Sequence, residues 1–354
     1  MSIISCFPSG GGASSSSSSW FGDGSDGDLV ISADTPISVT EDTGHIFLQY
    51  RSIHIASGGV LRPSNRCAGM VVLCQGDCTI DTGGSINLDK MAPRRSETTE
   101  NIILTSGISA PWLQKISSLT GGAGGDGAAA QVGGKGGAGG SGHRFGGGYG
   151  GGGGGMSYIR TGEEEISVSG IGGAGGDSEP RPPATITWPY PGVEGSGKYG
   201  AGGGSGTWDR LGFSKKGGAA PGGSGGIAFS YSFSGQSGTI YSSNGLPGDA
   251  YGGGLLLLVV GGNLTVNGII SANGGDGADA PDTDPWTPDG EGYGGGGGGG
   301  GGGILALLYA GYLSLGGNLL ANGGQCGASS KNGGNGAVGT VQVTKVDKNL
   351  GALT

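Results

Sequence analysis

Gly294 to Gly303 is a run of ten consecutive glycines that leads without a break into Ile304-Leu305-Ala306-Leu307-Leu308. Gly252-Gly253-Gly254 enters Leu255-Leu256-Leu257-Leu258-Val259-Val260 in the same way. Aligning Gly254 with Gly303 also aligns Asn273-Gly274-Gly275 with Asn322-Gly323-Gly324, both at an offset of 49 (303 − 254 and 322 − 273). Glycines that keep register with strands belong to a repeated backbone element, where a linker would drift. An earlier phrase, Gly69-Met70-Val71-Val72-Leu73 followed by Gly83-Gly84-Ser85-Ile86-Asn87-Leu88, echoes the repeat but aligns with it only through an insertion or deletion.

Ninety-two of the 354 residues are glycine, about a quarter of the chain against an ordinary ~7%. Composition alone reads as low complexity, and Gly10 to Ser19 fits that reading. Ordering a glycine costs roughly 0.5–1 kcal/mol more than ordering an alanine, so an ordered glycine string needs a reason to exclude Cβ atoms. Extended left-handed helices of the polyproline-II type supply one, because they pack backbone against backbone only where side chains are absent. Their N–H and C=O groups have no internal partners, so neighbouring segments must provide them.

The net charge is −9, with 18 Lys and Arg against 27 Asp and Glu, and no basic run exceeds two residues. That balance argues against nucleic acid as a partner. The five cysteines, Cys6, Cys67, Cys74, Cys78 and Cys326, are odd in number and lack zinc-site spacing, so they read as reduced and mostly buried thiols. No basic and apolar leader opens the sequence, and the longest apolar run, Leu255 to Val260, is far short of the ~20 residues of a membrane helix.

Three regions are expected. Residues 1–19 form a flexible or attachment tail. Residues 20–120 form an N-terminal module of short strands, with strand-like runs at Leu29 to Ile31, Ile37 to Thr40, His45 to Tyr50, Ile53 to Ala56, Met70 to Leu73 and Cys78 to Ile80. A short helix is expected near Pro111 to Leu119. Residues 121–354 form the glycine-rich repeat domain, with further strands at Ile166 to Val168, from Gly225 to Phe229 and at Val341 to Val346. Two insertions break its pattern. Glu179 to Lys216 carries Trp188, Tyr190, Tyr199 and Trp208, and Ala278 to Tyr293 carries Trp286 and Tyr293. Aromatic residues among prolines and glycines, outside any periodic strand, are candidates for recognition surfaces carried on a rigid scaffold.

No serine elbow, phosphate loop or paired-histidine metal motif is present. Matches to GxGxxG are numerous and carry no weight, because no helix pattern follows them. His45 and His54 read as ordinary sheet residues, and Glu163-Glu164-Glu165 as a solvated turn. Asp276, Asp279, Asp282, Asp284, Asp289 and Glu291 surround Trp286, which takes a ligand position of the EF-hand pattern. Calcium there stays an open question. No catalytic residue, cofactor or metal site is expected.

Glycine strings interleaved with short apolar strands, as in Gly121 to Gly155 and Gly252 to Gly327, resemble the receptor-binding adhesins that cap the long tail fibres of T-even-like bacteriophages. Gly22-Asp23-Gly24-Ser25-Asp26-Gly27-Asp28-Leu29-Val30-Ile31 is similar to a phrase of glycine-rich phage tail proteins. The resemblance implies a polyglycine-II sandwich whose end displays variable loops, a role that falls here to the insertions around Trp188, Trp208 and Trp286. Apolar runs such as Leu255 to Val260 depart from a pure glycine lattice and fit a β-solenoid or β-sandwich core, so the expectation is a hybrid, all-β fold with very little helix. The implied function is non-enzymatic. The protein would be a virion structural protein made in the host cytoplasm, a tail-fibre or tail-tip adhesin that binds a bacterial surface protein or glycan and contacts other virion proteins. A head-fibre, collar or decoration protein is the alternative, and a polysaccharide depolymerase a more distant one. Oligomeric state stays open between a homotrimer and a single chain on a trimeric shaft.

Overall fold

The computed structural model describes residues 19–41, 44–93, 119–125, 159–161, 164–166, 228–231, 238–241, 250–277, 298–327 and 334–347. Strands and a single 3-10 turn, Ser19–Phe21, make up the regular structure of these residues. The chain visits three sheets in rotation. It passes through β1 (Asp28–Ile31), β2 (Asp34–Ile37) and β3 (His45–Tyr50), then β4 (Ser52–Ile55), β5 (Val60–Pro63) and β6 (Gly69–Cys74). A third round starts with β7 (Cys78–Ile80) and β8 (Ser85–Asn87). After two antiparallel hairpins, β9 (Ile159–Thr161) with β10 (Glu164–Ile166) and β11 (Ala228–Tyr231) with β12 (Gly238–Tyr241), that round is completed by β13 (Leu255–Val260). Two more rounds follow, β14 (Leu264–Val266), β15 (Ile269–Ser271) and β16 (Ile304–Tyr309), then β17 (Leu313–Leu315), β18 (Asn318–Leu320) and β19 (Thr340–Lys345). Three five-stranded sheets result, ordered β1-β4-β7-β14-β17, β2-β5-β8-β15-β18 and β3-β6-β13-β16-β19, and every pairing within them is parallel.

The repeat of 49 residues is the sheet register itself. Leu255 pairs with Ile304, Leu264 with Leu313 and Ile269 with Asn318. The earlier echo is a true third copy. Met70 pairs with Leu256 and Ser85 with Ile269, and the separation drops from 186 to 184 between them (256 − 70 and 269 − 85). The two residues are lost at a corner, where Asp81-Thr82-Gly83-Gly84 in one round becomes Asn267-Gly268 in the next. The wider corner needs Gly83 at φ +84°, a conformation that an L side chain resists.

Period-two alternation sends Cys78, Ile80, Leu264 and Val266 into a core shared by all three sheets, with Ile55, Leu61, Ile86, Leu258 and Leu305 beside them. The third sheet has a second apolar face. Val71, Leu73, Leu257, Val259, Ala306 and Leu308 form a separate cluster with Phe21 and Val346, against which Trp20 and Leu119 pack. Burial on both faces is why β13 reads as an unbroken apolar run.

Side chains tie one round to the next. Asp77 Oδ1 accepts from Asn263 N–H (2.7 Å), and Asn263 Oδ1 accepts from Tyr312 N–H (2.9 Å). Asp89, Asn273 and Asn322 repeat the ladder at 2.6 and 2.9 Å. Ion pairs Asp28–Arg51 and Asp34–Arg62 and the hydrogen bond between His54 and Asp81 bridge neighbouring rounds on the surface, and the Arg62 guanidinium holds the Asp34 carboxyl below the usual carboxylate range.

The expected strands at His45–Tyr50 and Cys78–Ile80 have the observed bounds. Others are displaced. The second strand runs Asp34–Ile37, earlier than the propensity peak at Ile37 to Thr40, because its register with Val60–Pro63 fixes it. Glu164 and Glu165 lie in a strand rather than a turn, paired with Thr161 and Arg160. The helix expected at Pro111 to Leu119 falls, apart from Leu119, outside the described residues.

Cys67, Cys74 and Cys78 are buried free thiols, as their scattered spacing implies, and Cys326 is half-buried. Burial pushes the Cys67 thiol up to about 11 and Cys74 to about 12, and raises Cys78 as well. In the native protein iodoacetamide is therefore expected to label Cys326 and spare Cys67, Cys74 and Cys78, as read by peptide mass spectrometry, until denaturant is added. The same thiols give the pH dependence its sign. The folded chain holds protons that an unfolded thiol releases above its ordinary value of 9.0, so stability is level below that pH and declines as pH rises beyond it. Denaturant midpoints measured between pH 7 and 11 check this.

Candidate functional site

Six glycine-bearing segments lie side by side on the connections into and out of the third sheet. Residues 250–254, 298–303 and 334–339 lead into β13, β16 and β19, while 272–277 and 321–327 leave β15 and β18. Residues 119–125 run opposite to 298–303, since Gly122 N–H donates to Gly302 O (2.8 Å) and Gly125 N–H to Gly299 O (2.7 Å). Three segments thus approach the sheets and three recede.

Bonding from the central segment, 298–303, advances in steps of three residues. Gly299 and Gly302 donate to Gly334 O and Ala337 O, and Gly300 and Gly303 donate to Gly275 O and Ala272 O. Its carbonyls accept in the same rotation. Gly299 and Gly302 receive Gly125 and Gly122, Gly300 receives Gly324, and Gly301 receives Gly253. The outer segments also bond to one another, through Ala337 N–H to Ala123 O, Gly336 N–H to Gly324 O, Gly274 N–H to Asn322 O and Gly275 N–H to Tyr251 O. A Cβ on Gly301 would overlap the carbonyl oxygens of Gly122 and Ala123, so glycine is required there by close approach. In the outer segments this constraint is released at outward-facing positions, the exposed Ala337 among them. Ala123, Asn322, Gln325, Asn335 and Val338 are exposed, and Asp276 is exposed with its carboxylate accepting from Gln325 N–H at 2.7 Å.

One end of this array is distinctive. Gly125, Ala250, Gly277, Gly298, Gly327 and Gly334 terminate the segments on the side away from the strands. Bonds Gly125–Gly299, Gly299–Gly334, Gly277–Gln325 and Gly275–Tyr251 put those termini next to one another. Residues 126–249, 278–297 and 328–333 therefore all depart from and return to the same end. Trp188, Tyr190, Tyr199 and Trp208 belong to the first of these stretches and Trp286 and Tyr293 to the second. The six aromatic candidates lie outside the described residues, and the structure brings together the stems that carry them. The remaining acidic residues of 279–291, and with them the calcium question, lie outside as well.

Among the described residues no group of three or more His, Cys, Asp and Glu gathers as a metal site. His54 pairs with Asp81, as befits a sheet residue. Arg66 is a feature the sequence does not flag. It is buried, paired with Glu41, and its guanidinium stacks over the Tyr251 ring at 4.1 Å, which ties the first rounds to the 250–254 segment of the glycine array. An arginine and a tyrosine far apart in sequence, each beside an unremarkable neighbour, leave no local signal.

Compared with family models, with curated proteins and with solved structures, the chain matches none.

Proposed function

We propose that the chain is a phage virion protein, a tail-fibre or tail-tip adhesin that recognises the bacterial surface without cleaving it. In this reading the three sheets are the faces of a β-solenoid, and the six segments pack as polyglycine-II helices, for which the three-residue hydrogen-bond step is the supporting geometry. The observation that carries the functional reading is that the stretches 126–249, 278–297 and 328–333, two of which hold the aromatic insertions, all leave and re-enter the array at one end. A packed stem with apolar anchorage at its root, whose far end is where the aromatic-bearing stretches join it, suits a recognition device. The described carboxylates fit a structural part. Asp28, Asp34 and Glu41 are in ion pairs, Asp81 is hydrogen-bonded to His54, and Asp77, Asp89 and Asp276 accept backbone N–H groups.

The test replaces residues 278–297 with a six-residue linker, the length of 328–333, since residues 272–277 and 298–303 are bonded neighbours. Melting temperature should be unchanged, while binding of labelled protein across a panel of bacterial strains should fall at least about tenfold, or ~1.4 kcal/mol, on the strains that bind the parent. A parent that binds no strain, or equal binding by both proteins, sinks the reading.

A further inference from the structure

Asparagine followed by glycine is the pair in which a backbone nitrogen most readily attacks a side-chain amide, because no Cβ on the second residue obstructs the approach. The described residues hold four such pairs, Asn267-Gly268, Asn273-Gly274, Asn322-Gly323 and Asn335-Gly336. Three are held shut. Gly268 N–H donates to Ile80 O (3.2 Å), Gly274 N–H to Asn322 O (2.8 Å) and Gly336 N–H to Gly324 O (2.9 Å). The side-chain oxygens of Asn273 and Asn335 are themselves taken, accepting from Asn322 N–H and Cys326 N–H at 2.9 Å each.

Asn322-Gly323 differs. Asn322 is exposed, and among the described residues neither its side-chain amide nor the N–H of Gly323 has a hydrogen-bond partner. The reason lies across the array. Residues 321–327 run antiparallel to 334–339, since Gly336 N–H donates to Gly324 O and Gly339 N–H to Ala321 O. Cys326 therefore faces Asn335, and Gly323 faces Val338. Asn335 supplies a side-chain oxygen to its neighbour, whereas Val338, 69% exposed, has none to give.

We infer that Asn322 is a site of spontaneous, backbone-assisted deamidation, singled out by the fold from the other three. The Gly323 nitrogen, its proton given up to solvent, bonds to Cγ of Asn322 while the Cγ–Nδ2 bond breaks and ammonia leaves. Water then opens the cyclic imide at one carbonyl or the other, which leaves aspartate or isoaspartate and needs no oxidant. Isoaspartate adds a main-chain carbon between 322 and 323, just ahead of Gly324, whose N–H donates to Gly300 O (2.7 Å) and whose carbonyl receives Gly336 N–H. The modification thus ages the array from an outer segment. The inference uses the bonding between segments and is independent of what the tip binds.

Peptide mass spectrometry on the full chain, kept folded in mildly alkaline buffer, reads the amide-to-acid mass gain at each asparagine. Asn322 should convert at least about tenfold faster than Asn267, Asn273 and Asn335, the equivalent of ~1.4 kcal/mol of local opening at the held pairs. In denaturant the four should convert at similar rates. Val338→Asp offers Gly323 N–H a carboxylate, as Asp276 does for Gln325 N–H, and should slow Asn322 at least about fivefold while leaving Asn267 unchanged. Val338→Leu should slow neither. Equal rates at the four sites of the folded parent overturn the inference, and so does an unchanged Asn322 rate in a Val338→Asp protein that melts with the parent. The parent rates decide even where the aspartate variant does not fold.

Discussion

Gly301→Ala is expected to destabilise the protein by about 3 kcal/mol, a fall of roughly 5–10 °C in melting temperature. The added methyl meets the Gly122 carbonyl and the Ala123 oxygen, which are backbone atoms without a rotamer to turn away. Moving 119–125 outward would break the bonds from Gly122 to Gly302 and from Gly125 to Gly299, and would strain the one from Ala337 to Ala123. Each outcome costs more than the gain of alanine over glycine in unfolded-chain entropy, about 0.4–1 kcal/mol. Gly316→Ala is the matched control. Its Cβ would meet only the Asn267 side chain, at 2.9 Å, which can swing aside, so a change within about 0.5 kcal/mol is expected. Thermal and denaturant unfolding of the two variants decide the matter. If both fall within that margin of the parent, the glycines are not held at the observed spacing.

Local chemistry made the repeats readable, and distance hid the rest. The offset of 49 could be read because Gly254 and Gly303, and Asn273 and Asn322, stand at the same places in successive rounds: each asparagine's backbone N–H donates to the side-chain oxygen of the residue one round earlier, Asp89 for Asn273 and Asn273 for Asn322. The earlier copy looked weak because a corner changed width, and neither corner alone reveals which strands it connects. Membership of 119–125 and 334–339 in the array had no local sign beyond glycine, since their partners lie in 298–303, contributed from another part of the chain. The second strand was misplaced because Pro36 argues against a strand, yet at the edge of a sheet its missing N–H costs nothing to the ladder. For the candidate site, composition pointed to the aromatic insertions. Their common point of departure depends on which segments run parallel and which antiparallel, and this emerges only from the bonding between them.

Leu257→Ala and Leu258→Ala should each cost about 3 kcal/mol, even though adjacent residues of a strand point to opposite faces. In a sheet with one wet face, one of the two would be nearly free. Here Leu258 is 0% exposed in the core shared by the three sheets, and Leu257 is 1% exposed in the cluster with Phe21, Leu308 and Val346. The second cluster joins Phe21, ahead of the first strand of the chain, to Val346, just past the last, so it packs both ends of the strand series against the middle of the third sheet. Leu315→Ala, at a side chain 45% exposed on the last round, should change stability by no more than about 0.5 kcal/mol. Denaturant midpoints at constant slope measure all three. A large loss for Leu258 with almost none for Leu257 would mean that the outer face of the third sheet is open to water, and the apolar run Leu255 to Val260 would then need another explanation.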